Sequence, residues 1–265
     1  MKILSLIPAA AAAILMLASC ESTPVDERFV AVDPEDFVPQ RTVLIEEFTG
    51  QMCVNCPNAH KLLNDLDAKF NVDGHVGFIV VGIHYSDFGF DVPRGFVTPE
   101  SYKYAADVPN APSARINRRT DIIGTDLWTG SLLKEMVRKS SVEFDKMTAS
   151  LNADGSGINI VGTVSASKTY TNAHLQLWLV EDDIVAPQII NDGVDVNYVH
   201  HAVFRGAING INGQSVSLDA NKDTEFKAEN YPLPEYVNKE HLRVVAFVYT
   251  ADGVLNAAQA AVKVD

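Results

Sequence analysis

Thr42-Val43-Leu44-Ile45-Glu46-Glu47-Phe48-Thr49-Gly50-Gln51-Met52-Cys53-Val54-Asn55-Cys56-Pro57 is the stretch on which the reading of this chain turns. Val43-Leu44-Ile45 followed by Phe48 reads as a buried strand, and Thr49-Gly50-Gln51 as a turn. Beyond the second cysteine, Ala59, Leu62, Leu63, Leu66 and Phe70 recur in steps of three and four. That spacing describes an amphipathic helix, with Pro57 tolerated in its first turn. The cysteine pair therefore sits where a strand passes into a helix N-terminus. Exposed amides at that end favour a thiolate, so a reactive cysteine belongs there.

Working outward, Gly77 to His84 is a continuous apolar run suited to a central strand buried on both faces. Thr98-Pro99-Glu100 reads as a short helix start, threonine as cap and proline at the first helical position. A loop, Val108-Pro109-Asn110-Ala111-Pro112-Ser113, leads into Ala114-Arg115-Ile116-Asn117. A helix is then expected from about Asp126 to Phe144, its inner face marked by Leu132, Leu133, Met136, Val137 and Phe144. Past about residue 147 the pattern changes to short strand-like runs: 159–164, 175–180 and 242–248, with Asp154-Gly155 and Asp252-Gly253 as turn signals. Strands without intervening helical periods suggest an antiparallel β-sandwich.

The first half resembles the thioredoxin superfamily, in which a strand with a buried acid leads to a Cys-x-x-Cys pair opening a helix. Glu47 stands six residues before Cys53, as the family's acid does, and the resemblance makes Pro112 the counterpart of its cis-proline. The implied fold is an α/β thioredoxin-like domain over 41–146 followed by an all-β sandwich domain over 147–265. Met52 and Val54-Asn55 depart from the Trp and Gly-Pro that the family usually carries. The dipeptide between the cysteines tunes redox potential, so the direction of exchange stays open.

The N-terminus adds a location. Met1-Lys2 and the apolar run Ile3 to Leu17, too short to span a bilayer comfortably and interrupted by Pro8, read as a signal peptide over 1–19. Its ending, Leu17-Ala18-Ser19-Cys20, resembles a bacterial lipobox, which implies a diacylglyceryl group on Cys20 and membrane attachment through lipid. Residues 20–40, with Pro24, Pro34 and Pro39 among acids, read as a linker. The whole arrangement resembles the lipoproteins of the 28-kDa outer-membrane-protein family. That likeness is carried by the lipobox, Glu47-Phe48-Thr49-Gly50, Ile116-Asn117-Arg118 and Val199-His200-His201-Ala202-Val203-Phe204-Arg205. It implies the outer membrane and a redox site.

Composition narrows the partners. With 21 basic and 34 acidic residues the chain carries a net charge of −13, which argues against nucleic acid and against a polybasic grip on anionic lipid. With Cys20 given to lipid, Cys53 and Cys56 remain as one pair able to form one disulfide. In the functional reading Cys53 attacks as thiolate, Cys56 resolves the mixed disulfide and Glu47 assists proton transfer to or from Cys56; the partner is an envelope protein thiol or disulfide. The alternatives are an inert structural bridge and a three-ligand zinc site with His60. No cofactor or metal is expected. His84, at a strand end, either faces the pair or is structural; His200 and His201, as strand neighbours, point apart. Arg115, Arg118 and Arg119 read as a solvated face or an anion site. Two functions stand: thiol-disulfide exchange, or a non-catalytic outer-membrane lipoprotein that recognises a protein or glycan through its β domain.

Overall fold

A computed structural model describes residues 37–72, 74–85 and 96–264. The expected signal peptide, Cys20 and most of the linker lie outside them. The first elements are strand β1 (Val43–Thr49), helix α1 (Cys56–Phe70), strand β2 (Phe78–His84), helix α2 (Pro99–Tyr104), strand β3 (Ser113–Ile116) and helix α3 (Trp128–Met136). There follow β4 (Val142–Leu151), β5 (Gly157–Ala166), β6 (Tyr170–Glu181), β7 (Ile184–Val185), β8 (Gln188–Ile190), β9 (Gly193–Asp195) and β10 (Val199–His200). The chain ends with β11 (Val203–Ala207), β12 (Gln214–Leu218), β13 (Asp223–Pro232), β14 (Leu242–Thr250) and β15 (Gly253–Lys263).

Strand is the dominant structure, and among the described residues eleven strands form one mixed sheet in the order β13-β5-β4-β15-β14-β6-β11-β2-β1-β3, with β12 beside β6. β1 runs parallel to β2 and antiparallel to β3, and α1 makes the crossover from β1 to β2. Every residue of β1 is buried, as a strand covered on both faces requires. Its side chains alternate: Val43 and Ile45 face a core with α1 and α3, while Leu44 and Phe48 face one that includes Trp178, Phe204 and Phe247. A third core joins Ile158, Ile160 and Val164 of β5 to Leu177 and Leu179 of β6 and Val244 and Ala246 of β14. β15 meets β4 in parallel, where an all-antiparallel arrangement was expected.

Two other expectations are corrected. The helix foreseen over Asp126–Phe144 is shorter, Trp128–Met136, preceded by a single 3-10 turn at Thr125–Leu127; Phe144 belongs to β4 and packs edge-on against Phe226. Arg118, read as solvated or ligand-binding, is largely buried. Its guanidinium pairs with Glu46 at 2.9 Å and sits 4.5 Å from the Tyr249 ring and 4.8 Å from that of Phe247. Thr98 does cap α2, exchanging hydrogen bonds with Ser101.

Candidate functional site

β1 ends at Thr49, and a turn carries the chain to the cysteines. The Cys53 N–H donates to the Gly50 carbonyl (3.1 Å) and the Cys56 N–H to the Cys53 carbonyl (3.3 Å). Cys56 is the first residue of α1, with Asn55 as a cap that makes no side-chain bond and Pro57 in the opening turn. Cys53 and Cys56 are joined in a disulfide with Cα atoms 5.4 Å apart, which leaves neither as a thiolate for zinc. Cys53 is 6% exposed and Cys56 fully buried.

Glu47 is buried on β1. Its carboxylate reaches His60 Nε2 at 3.2 Å, and the Thr49 hydroxyl lies 3.1 Å from the same nitrogen. His60 Nδ1 is 2.7 Å from the Tyr198 hydroxyl. Burial disfavours the charged imidazole, but the Glu47 carboxylate outweighs it and holds the His60 pKa above its ordinary value. A cavity of about 290 Å³ opens on Glu47, His60 and Tyr198. His60 follows Cys56 by four positions, so both lie on one face of α1. Pro112, preceded by a cis peptide bond, lines a separate cleft of about 490 Å³ with Asn55 and Leu62. Its neighbour Ser113 stands opposite Phe48 of β1.

The other histidines divide. His84 is buried, with ring contacts to Phe96 (4.8 Å) and His200 (5.8 Å). Burial drives its pKa well below the ordinary range. His200 is buried while His201 is exposed and pairs with Asp183. Sequence reasoning missed the partners that β7–β10 bring to the disulfide. Gln188 Nε2 donates to the Cys53 carbonyl (3.0 Å), Gln51 Nε2 to the Pro187 carbonyl (2.7 Å) and the Ile189 N–H to the Gln51 carbonyl (2.8 Å). These contacts join residues more than 130 positions apart, and no local periodicity announces them.

Fold and site define a mixed-sheet protein with a disulfide at a strand-to-helix junction. The family model described as outer membrane protein Omp28 matches residues 100–265, more than half of the chain, and the chain belongs to that family. The matched region holds Pro112, β7–β10 and Tyr198; Glu47, Cys53, Cys56 and His60 precede it. The solved structure of HBP35 of Porphyromonas gingivalis is similar, with a TM-score of 0.65 at 15% identity over 84% of this chain and 76% of that one; the likeness shows the fold. A Niemann-Pick type C2 protein from the Japanese carpenter ant reaches a TM-score of only 0.27 at 12% identity, over 46% of this chain and 93% of that one, too low to carry an argument. No curated protein matches.

Proposed function

We propose that this chain is a cell-envelope thiol-disulfide exchange protein, tethered to the outer membrane by lipid on Cys20. Its exchange site sits on a thioredoxin-like unit of 41–146, steadied by a β unit of 147–265. The observation that carries this reading is the Cys53–Cys56 bridge at the mouth of α1 with the Glu47–His60 pair one helical turn behind it. Membership of an outer-membrane protein family supports the location. A partner thiolate attacks Cys53 Sγ; a mixed disulfide forms, the Cys53–Cys56 bond breaks and its electron pair leaves on Cys56. A bare thiolate at so buried a position is costly, so protonation must accompany its departure. His60 supplies the proton and Glu47 stabilises the charge that the ring carries beforehand. A second partner thiolate then attacks the partner's own sulfur in the mixed disulfide, which oxidises the partner and frees Cys53. The same steps reversed reduce a partner disulfide.

Equilibration with glutathione buffers is the test. Exchange proteins poise between roughly −270 and −120 mV, whereas a structural bridge falls below about −300 mV. A value in the second range, with Cys56→Ser, which leaves Cys53 unable to be resolved, trapping no mixed-disulfide partner, would sink the proposal. A mass spectrum of the native N-terminus tests the lipid: unmodified Cys20 removes the tether.

One observation favours a second reading. Cys53 is nearly covered and its carbonyl is held by Gln188, as suits a frame whose β unit does the binding. A bridge that resists glutathione would leave a non-catalytic protein recognising a protein or glycan.

A further inference from the structure

At the opposite end of β1 from the disulfide lies a cleft of about 810 Å³, within the range of small-molecule sites. Arg41, just before β1, and Arg119 and Arg138 all turn toward one carboxylate, that of Glu135, at 3.7, 3.3 and 3.8 Å. The exposed Lys134, Lys139 and Lys168 also line it, and among the described residues Asp252 is its only other acid. Arg118 lines it too, but its charge is met by Glu46. Among the described residues, six basic side chains therefore face two carboxylates in a chain whose net charge is −13.

The guanidinium of Arg41 is fixed in place. Nε donates to the Arg138 carbonyl (2.9 Å), and the terminal nitrogens donate to those of Lys139 (3.1 Å) and Val254 (3.4 Å). Burial, with Arg119 and Arg138 nearby, lowers its pKa to about 10 although Glu135 opposes this. An anion entering the cleft relieves that crowding. Preset guanidinium forks suit oxyanions, and the lining hydroxyls of Thr120, Ser131 and Ser141 can donate to further oxygens.

We propose that this cleft is a binding site for a ligand carrying two or more phosphate groups, separate from the disulfide. The probe is inorganic pyrophosphate, titrated calorimetrically into the purified full chain at low ionic strength, where screening is weak. The variant Lys134→Glu/Lys139→Glu/Lys168→Glu, altered at exposed positions only, should lose at least about tenfold in affinity, a change of about 1.4 kcal/mol. Lys61→Glu/Lys69→Glu/Lys227→Glu changes net charge equally outside the cleft and should bind as the parent does. A short-chain cardiolipin, whose headgroup carries two phosphates, used below its micelle-forming concentration and compared with dihexanoyl phosphatidylcholine, separates two sources: cleft-dependent binding of the former marks a lipid headgroup, and its absence marks a free phosphate compound. No pyrophosphate binding by the parent, or equal losses in the two triple variants, would overturn the assignment.

Discussion

Asn117 stands in the left-handed region, φ 51°, where asparagine is tolerated better than most residues, and all its polar groups are engaged. Its Oδ1 accepts from the Leu44 N–H (2.8 Å) and its Nδ2 donates to Glu135 (3.0 Å). Its own N–H donates to the Leu44 carbonyl (2.8 Å) and its carbonyl accepts from the Val254 N–H (2.7 Å), so one residue ties β1, α3 and β15 together. Asn117→Ala should cost about 2–4 kcal/mol, from an orphaned buried N–H and an alanine held at positive φ. Urea titration would show this as a lower midpoint at unchanged slope. A second residue-level effect concerns pH. Burial, with His60 nearby, lowers His200 to about 4 from an ordinary 6.5. The fold keeps that ring neutral while the unfolded chain takes up a proton, so its contribution is full above pH 6.5 and falls as pH drops from there toward 4. His60, raised by Glu47, acts with the opposite sign: its contribution is full below 6.5 and is lost as pH rises through its folded value. Urea midpoints from pH 4 to 6.5 should therefore decline less steeply on acidification in His200→Gln than in the parent, by on the order of 2 kcal/mol across the window.

Among the elements, α3 shows what sequence periodicity can and cannot convey. Its apolar spacing is plain in Leu132 and Met136, both fully buried. Its end is not plain, because the groups that stop it come from elsewhere in the chain. Arg41, nearly a hundred residues earlier, binds the carbonyls of Arg138 and Lys139 just past the helix, and Ser140 Oγ donates to the Val142 carbonyl as β4 begins. Phe144 fits a helical period with Val137 yet is claimed by β4, where it stands opposite Val164 of β5. The same contrast runs through the site. Glu47, Cys53, Cys56 and His60 fall within fourteen residues and can be read together. Tyr198 and Gln188 reach the same place only through tertiary pairing. Arg41→Met removes a charged donor from three carbonyls and should cost about 2–3 kcal/mol. Hydrogen exchange would report the loss first in the amides of α3; unchanged protection there would refute Arg41 as its anchor.

At the scale of the molecule, β11 decides how the halves behave. It pairs with β2 on one side and β6 on the other, and the Gly82 N–H donates to the Ala202 carbonyl at its start. Arg243 Nη2 adds a bond to the Val80 carbonyl, and Asn256 Oδ1 accepts from the Thr42 N–H. With bonds running across residue 147 in several places, the two halves should unfold in one calorimetric transition, with van't Hoff and calorimetric enthalpies in agreement. A fragment of residues 37–146 would expose the β2 edge, an unpaired strand that invites association, and should be aggregation-prone. Two separated transitions, or a monomeric folded fragment, would show instead that the β11 junction is weak.

The bonds from Gln188 to the Cys53 carbonyl and from Ile189 to the Gln51 carbonyl also bear on kinetics. Since Cys53 is nearly covered, an attacking thiol must wait for that grip to loosen. Reduction by dithiothreitol should therefore be first order in reductant at low concentration and reach a plateau at high concentration, where the plateau rate is the opening rate itself. Gln188→Ala should raise that ceiling, turning the strength of one side-chain and one backbone hydrogen bond into a clock for every electron pair that enters or leaves the bridge.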